Sequence, residues 1–257
     1  MSRLMLCLLM IALVAVSGCA QTDDKETVSP SQSAKGENVN VTSGGLTYPA
    51  YLAVPAAEGL WPGVVMIHSF NGLEPGYLTI ADRLAGEGFV VIAPQWQTFN
   101  RTPGDETVGR LIEDCSALLR ERDDVNSDKL GLTGFCAGGR YTMLFLPQMN
   151  GTFNAGVAWY GFPYSGGFLN QSRPADYISM LNDPLLIIHG TYDVPSKVSE
   201  IYRYAEELNA TGKYFELKLY QGQPHGFMIE GGRMSNSSVA EDAFEQMASF
   251  FNRTLKQ

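Results

Sequence analysis

Histidine is scarce in this chain: only His68, His189 and His225 occur among 257 residues. A reaction that uses imidazole as its base therefore has few residues to draw on. The four cysteines, Cys7, Cys19, Cys115 and Cys136, form no Cys-x-x-Cys pair, and no His-Glu-x-x-His spacing occurs. The usual zinc-finger, redox and zincin patterns are excluded, and the chain is read as needing neither metal nor cofactor. Positive charge is also short. With 18 Lys and Arg against 27 Asp and Glu, the net charge is −9 and the pI about 4.8. That balance argues against nucleic acid, or an anionic membrane surface, as an electrostatic partner. No internal repeat is visible.

The first 19 residues hold Arg3 and then the apolar run Leu4 to Val16, ending in Val16-Ser17-Gly18-Cys19. The run is shorter than the ~20 residues that span a bilayer comfortably, so it reads as an export signal. Its end resembles the lipobox of exported lipoproteins, which would make Cys19 the lipidated first residue. Ordinary cleavage nearby, or an uncleaved anchor, are the alternatives. Residues 20–37 are polar and aperiodic and read as a flexible linker, leaving residues 38–257 as one domain. The protein is expected to work outside the cytoplasm, secreted or touching the membrane only through its N-terminal lipid or anchor. Asn-x-Ser/Thr triplets at Asn40, Asn100, Asn150, Asn170, Asn209, Asn236 and Asn252 are spread like surface loops. Loss of Cys7 with the leader would leave Cys115 and Cys136 in the domain, a pair that an oxidising compartment could join. Cys115 instead reads as core, on the helical stripe Val108, Leu111, Ile112, Cys115, Leu118 and Leu119.

Strand-like runs alternate with helical ones along the rest of the chain. An antiparallel pair around Ser43-Gly44-Gly45 is followed by strands at 63–68, 90–94, 129–133, 155–160, 184–190 and 214–220. Helices are expected near 77–86, around Cys115, and at 137–146, 196–208 and 239–254. This order predicts a single α/β domain with a largely parallel central sheet and helices on both faces. The irregular stretch Phe162 to Asp183 is expected to lie over the site.

Gly134-Phe135-Cys136-Ala137-Gly138-Gly139 follows one of those strands and opens a helix. A thiol between small residues in that context reads either as a nucleophile elbow with cysteine in the serine position, or as a buried cysteine in a Gly-rich turn. In the first case the helix turns its free N–H groups and positive dipole end toward the sulfur. Two further candidates follow strands in the order nucleophile, acid, histidine: Asp193 after Pro184 to Gly190, and His225 after Tyr214 to Tyr220. Asp183 falls at the opposite end of its strand. His68 and His189 read as structural or loop-orienting, whereas His225 lies in a loop between Pro224 and Gly226.

At these residues the chain resembles the dienelactone hydrolase family of α/β-hydrolases, over roughly residues 45–255. The motifs that carry the resemblance are Gly-x-Cys-x-Gly-Gly at 134–139, Trp159-Tyr160-Gly161, His-Gly-x-x-Asp at 189–193 and Pro224-His225-Gly226-Phe227. The resemblance implies Cys136 as nucleophile, Asp193 as orienting acid, His225 as general base, and an oxyanion hole from the backbone N–H groups of Phe70 and Ala137. The sequence departs from the family at two positions. Ser69 stands where members often carry an activating glutamate, for which Glu74 is a possible substitute. Ile229 stands where members acting on dienelactone carry a carboxylate-binding arginine.

Trp159, Tyr160 and Tyr192 are the expected substrate-binding aromatics. Arg101 and Arg140 could bind a carboxylate, and Arg140 could equally serve an ion pair. The expected function is hydrolysis of a small ester or lactone through a thioester. A non-catalytic ligand-binding lipoprotein, and a deacetylase or peptidase-like hydrolase, are the alternatives on the same fold.

Overall fold

The computed structural model describes residues 35–257. The expected export signal, Cys19 and the expected linker up to residue 34 lie outside the described residues. The described part opens with β1 (Glu37–Ser43) and β2 (Leu46–Ala53), an antiparallel pair turned at Gly44-Gly45, where φ is +56° and +77°. The last linker positions are already ordered, because the Gly36 N–H donates to Asp82 at 2.9 Å and β1 begins at Glu37.

There follow β3 (Trp61–Ile67), α1 (Pro75–Gly86), β4 (Val90–Pro94), α2 (Asp105–Arg120), β5 (Val125–Phe135), α3 (Ala137–Gln148) and β6 (Ala155–Trp159). The chain then continues through a 3-10 turn (Pro174–Met180), β7 (Leu185–Gly190), α4 (Val198–Ala210), β8 (Phe215–Tyr220), the short hairpin β9 (Ile229–Glu230) and β10 (Arg233–Met234), and α5 (Ser238–Leu255).

Eight strands form one sheet in the order β1-β2-β4-β3-β5-β6-β7-β8. All pairs from β4 to β8 are parallel, and β2 joins them antiparallel. Strands buried on both faces need apolar side chains on both, which is why β3, β4, β6 and β7 read as unbroken apolar runs. Alternate residues of β3 divide between two cores: Val65 and Ile67 pack with α2, α3 and α4, and Val64 and Met66 with α1 and α5. The predicted sheet with helices on both faces is the observed one.

The elements that differ from expectation have local causes. β5 starts four residues early because an irregularity at Pro62/Gly63 lets Trp61 and Pro62 pair with Val125 and Asn126. The β9–β10 hairpin was not anticipated. Its Gly231-Gly232 turn, with φ of +56° and +76°, is the two-residue form that suits tight hairpins. Asn40, Asn209 and Asn252 lie within β1, α4 and α5 and not in loops, as their triplets had suggested.

Cys115 is fully buried in the α2 core as expected, and among the described residues it and Cys136 are not joined to each other or to another cysteine. Burial pushes the Cys115 thiol well above the ordinary cysteine range. Thiol labelling of the folded protein should therefore lose one reactive group in Cys136→Ala and none in Cys115→Ala. A fast-labelling Cys115 would contradict the packing.

Candidate active site

The site is built around a backbone collision that only glycine avoids. A Cβ on Gly134 would meet the Gly138 carbonyl, one on Gly138 the Ile67 carbonyl, and one on Gly139 the Trp159 carbonyl. The start of α3 is thus wedged between the ends of β3 and β6. Cys136, between β5 and α3, takes φ +59° and ψ −111°, a conformation that costs a non-glycine residue roughly 1–3 kcal/mol. The turn is held because Cys136 N–H donates to Trp159 O and Arg140 N–H to Cys136 O, each at 3.0 Å. Gly138→Ala should lower stability by about 2 kcal/mol or more, read as a fall in Tm, because the obstacle is backbone and cannot rotate away. An unchanged Tm would refute the wedge.

Two carboxyl-end loops bring the acid and the histidine to this turn. Asp193, after β7, is buried; its Oδ1 accepts from Ser196 N–H at 2.8 Å and its Oδ2 meets His225 Nδ1 at 2.7 Å. His189, also buried, lies 3.5 Å from the same Oδ2 and donates from Nε2 to Ser196 O at 2.9 Å. Burial keeps His189 below the usual histidine range, so it is neutral.

His225 behaves oppositely. Burial works against its charge, but Asp193 and the nearby Cys136 outweigh that cost and raise it to about 9. The ring lies between Tyr160 and Phe162, with centroids 5.1 and 5.4 Å away. Among the described residues its buried Nε2 meets no partner in full hydrogen-bonding geometry, although the Cys136 sulfur is near enough to affect the ring. The two groups are close enough to exchange a proton.

His68 has a different task. Burial lowers it to about 4, leaving a neutral ring whose Nδ1 lies 2.7 Å from Ser69 O. The N–H of Gly72 also donates to Ser69 O, at 3.2 Å. A trans peptide points its N–H opposite to its C=O, so fixing Ser69 O fixes the direction of the Phe70 N–H. Among the described residues, neither the Phe70 N–H nor the Ala137 N–H donates to a protein acceptor. Both residues line one cavity with Cys136 and His225.

That cavity measures about 840 Å³ and opens between the ends of β3 and β5. Strand order reverses there, the usual binding crevice of an open α/β sheet. Tyr160 lines it, as expected, with φ +35° and a buried hydroxyl that has no partner among the described residues. Trp159 and Tyr192 require correction. Trp159 is wholly buried below the site, stacked on Phe135 and donating to Thr133 Oγ1 at 3.2 Å, because a β6 residue inside the sheet cannot reach the crevice. Tyr192 is 65% exposed and is not among the residues that line the cavity. Arg140 lines the cavity but is paired with Asp105.

Several lining residues were not singled out: Phe162 and Phe168 from the loop after β6, Pro195, and Gly231 and Gly232 of the hairpin. Phe162 and Phe168 fall in the stretch Phe162 to Asp183 that was expected over the site, and the Gly-Gly turn was a second readable signal. Ser69 and Ile229, the two positions where the sequence departs from the pattern it resembles, and Glu74, the possible substitute for the first, all line the same cavity.

This mostly parallel eight-stranded sheet, with helices on both faces and a Cys136, Asp193 and His225 constellation at its carboxyl edge, defines an α/β-hydrolase. A profile of the dienelactone hydrolase family matches residues 48–255, and the chain belongs to that family of hydrolases. A candidate carboxymethylenebutenolidase of Escherichia coli (strain K12) is 30% identical over 83% of this chain and 85% of its own length. Another from Methylorubrum extorquens is 26% identical, over 80% and 76%. The crystal structure of a candidate dienelactone hydrolase from Klebsiella pneumoniae superposes with a TM-score of 0.77 at 25% identity, covering 85% of this chain and 98% of that one.

The raised value of His225 has a defined sign. Its interactions stabilise the folded protein below the ordinary histidine range, and this stabilisation is lost as pH rises through about 9. An NMR titration of the His225 ring should show a midpoint near 9, moving to lower pH in Asp193→Asn. A midpoint in the ordinary histidine range for both proteins would rule out the pairing.

Proposed function

We propose that this protein is an exported hydrolase that cleaves small esters or lactones through a Cys136 nucleophile, with His225 as acid and base and Asp193 as its orienting partner. The observation that carries the reading is the strained Cys136 backbone at the start of α3, beside a histidine held by Asp193 at 2.7 Å. In the first step the Cys136 sulfur bonds to the carbonyl carbon. Negative charge on the carbonyl oxygen is taken by the N–H groups of Phe70 and Ala137. His225 carries the thiol proton and passes it to the leaving alkoxide, whose C–O bond breaks to leave a thioester. A water molecule then gives a proton to His225 and its oxygen to the acyl carbon, and the proton returns to sulfur as the acid departs. Asp193 keeps the imidazole in the tautomer that presents Nε2 to the sulfur. The shared proton is needed for both steps, so kcat/KM should fall above about pH 9.

The export part of the reading rests on the leader and on the Val-Ser-Gly-Cys19 sequence. Cys19→Ser should release the protein from the membrane fraction of its host. Retention of the variant would remove the lipid.

The test of the chemistry is steady-state hydrolysis of an aryl acetate under reducing conditions by the protein and its Cys136→Ala variant. The variant should lose about 10³-fold or more in kcat, and an acyl adduct should appear by mass on Cys136 of the parent protein. Equal turnover by both proteins would remove Cys136 from the mechanism.

A further inference from the structure

The cavity carries an uncompensated negative charge, and its walls suit a cation. The charged groups among its lining residues are Glu74, Arg140 and His225. Arg140 has no charge to offer a ligand. Its side chain is 4% exposed, and four of its five N–H donors are engaged: two with the Asp105 carboxylate at 2.8 Å each, one with Ser165 O at 2.9 Å, and one with Ser172 O. His225 is balanced by Asp193.

Glu74 differs from both. Among the described residues it joins no ion pair. It sits at the N-cap of α1, yet its side chain makes no capping bond. The bare Gly231-Gly232 turn leaves it open to the cavity: a Cβ on Gly232 would lie 3.4 Å from Glu74 Oε1.

The rest of the lining is aromatic where a cation would rest. Phe70 and Phe168 pack with centroids 4.5 Å apart, and Tyr77, Tyr160 and Phe162 face the same space. Aromatic faces beside a carboxylate attract quaternary and protonated amines, and they do so more strongly where water is excluded. The Phe70 ring already holds one cation, the guanidinium of Arg101, 4.5 Å from its centroid and outside the lining residues.

The Tyr160 hydroxyl is an independent sign that a ligand completes this space. It is fully buried, has no hydrogen-bond partner among the described residues, and belongs to a residue that lines the cavity together with Cys136 and Glu74. Buried hydroxyls are seldom left without a partner unless one arrives later.

We propose that the cavity selects esters bearing an ammonium-type cation, held by Glu74 against the aromatic wall beside Cys136, and discriminates against esters bearing a carboxylate. The proposal deepens the hydrolytic reading above and rests on it. Glu74 acts here through the charge of the substrate, not through the nucleophile. The two roles separate experimentally, because an activating role would slow every ester alike.

The test uses three aryl acetates that differ only at the meta position of the phenol: trimethylammonium, tert-butyl and carboxylate. Each kcat/KM is divided by the rate of the same ester with hydroxide, which removes leaving-group differences. The cationic ester should exceed the tert-butyl ester by about tenfold or more, the carboxylate ester should fall below it, and Glu74→Gln should bring the cationic-to-neutral ratio toward one. A preference for the carboxylate ester, or a ratio unchanged in Glu74→Gln, would overturn the proposal.

Failure of the parent reading looks different: the tert-butyl ester would be hydrolysed equally by Cys136→Ala, or not hydrolysed at all. In that event calorimetry of phenyltrimethylammonium binding to Cys136→Ala decides the matter. Binding that disappears in the Cys136→Ala, Glu74→Gln double variant upholds the selection. Binding that persists there, or is absent from both proteins, overturns it.

Discussion

The contact between the start of α3 and the carbonyls of Ile67 and Trp159 is the constraint on which the rest of the site depends. It fixes three strand ends at once: β5 delivers Cys136, β3 delivers the Ser69-Phe70 peptide, and β6 delivers Tyr160. The close approach forces the unusual backbone of Cys136, and the ladder bonds on either side keep it there. A sheet whose parallel strands are buried on both faces supplies the rigidity that such a turn needs.

Around this wedge, one side-chain type performs three tasks set by its surroundings. His68 and His189 are buried and kept neutral, and each spends an N–H on a backbone carbonyl, Ser69 O in one case and Ser196 O in the other. They hold loops. His225 meets the Asp193 carboxylate at 2.7 Å, against 3.5 Å for His189, and it alone is pushed upward. The difference lies in the partner each ring meets, not in the imidazole.

Much of this was legible in the sequence because it rests on local pattern. The apolar runs of β4 and β7, the stripe of α2 and the Gly-x-Cys-x-Gly-Gly turn each carry their own signature. The order of Cys136, Asp193 and His225, each after a strand, is enough to predict that they meet at one sheet edge. The lining was harder to read. Trp159 and Tyr160 are neighbours, yet only Tyr160 reaches the cavity, since the strand ends between them and the backbone then turns to positive φ. Tyr192 is also close to the acid in sequence, but its backbone N–H pairs with Gln223 O and its side chain is left in solvent. Phe162, Phe168 and the β9–β10 turn join the site through tertiary packing, which periodicity does not encode.

Arg140 anchors the loop after β6 through the carbonyl oxygens of Ser165 and Ser172, while Asp105 neutralises it from α2. Every residue has a carbonyl, so the anchor reads the path of that loop and is blind to its side chains. The aromatic wall can therefore be rewritten by substitution at Phe162 or Phe168 without releasing the loop from the helix that bears Cys136. Substrate range and scaffold integrity are thereby uncoupled, and new specificities can arise in this wall by single replacements while the machinery beneath it stays intact.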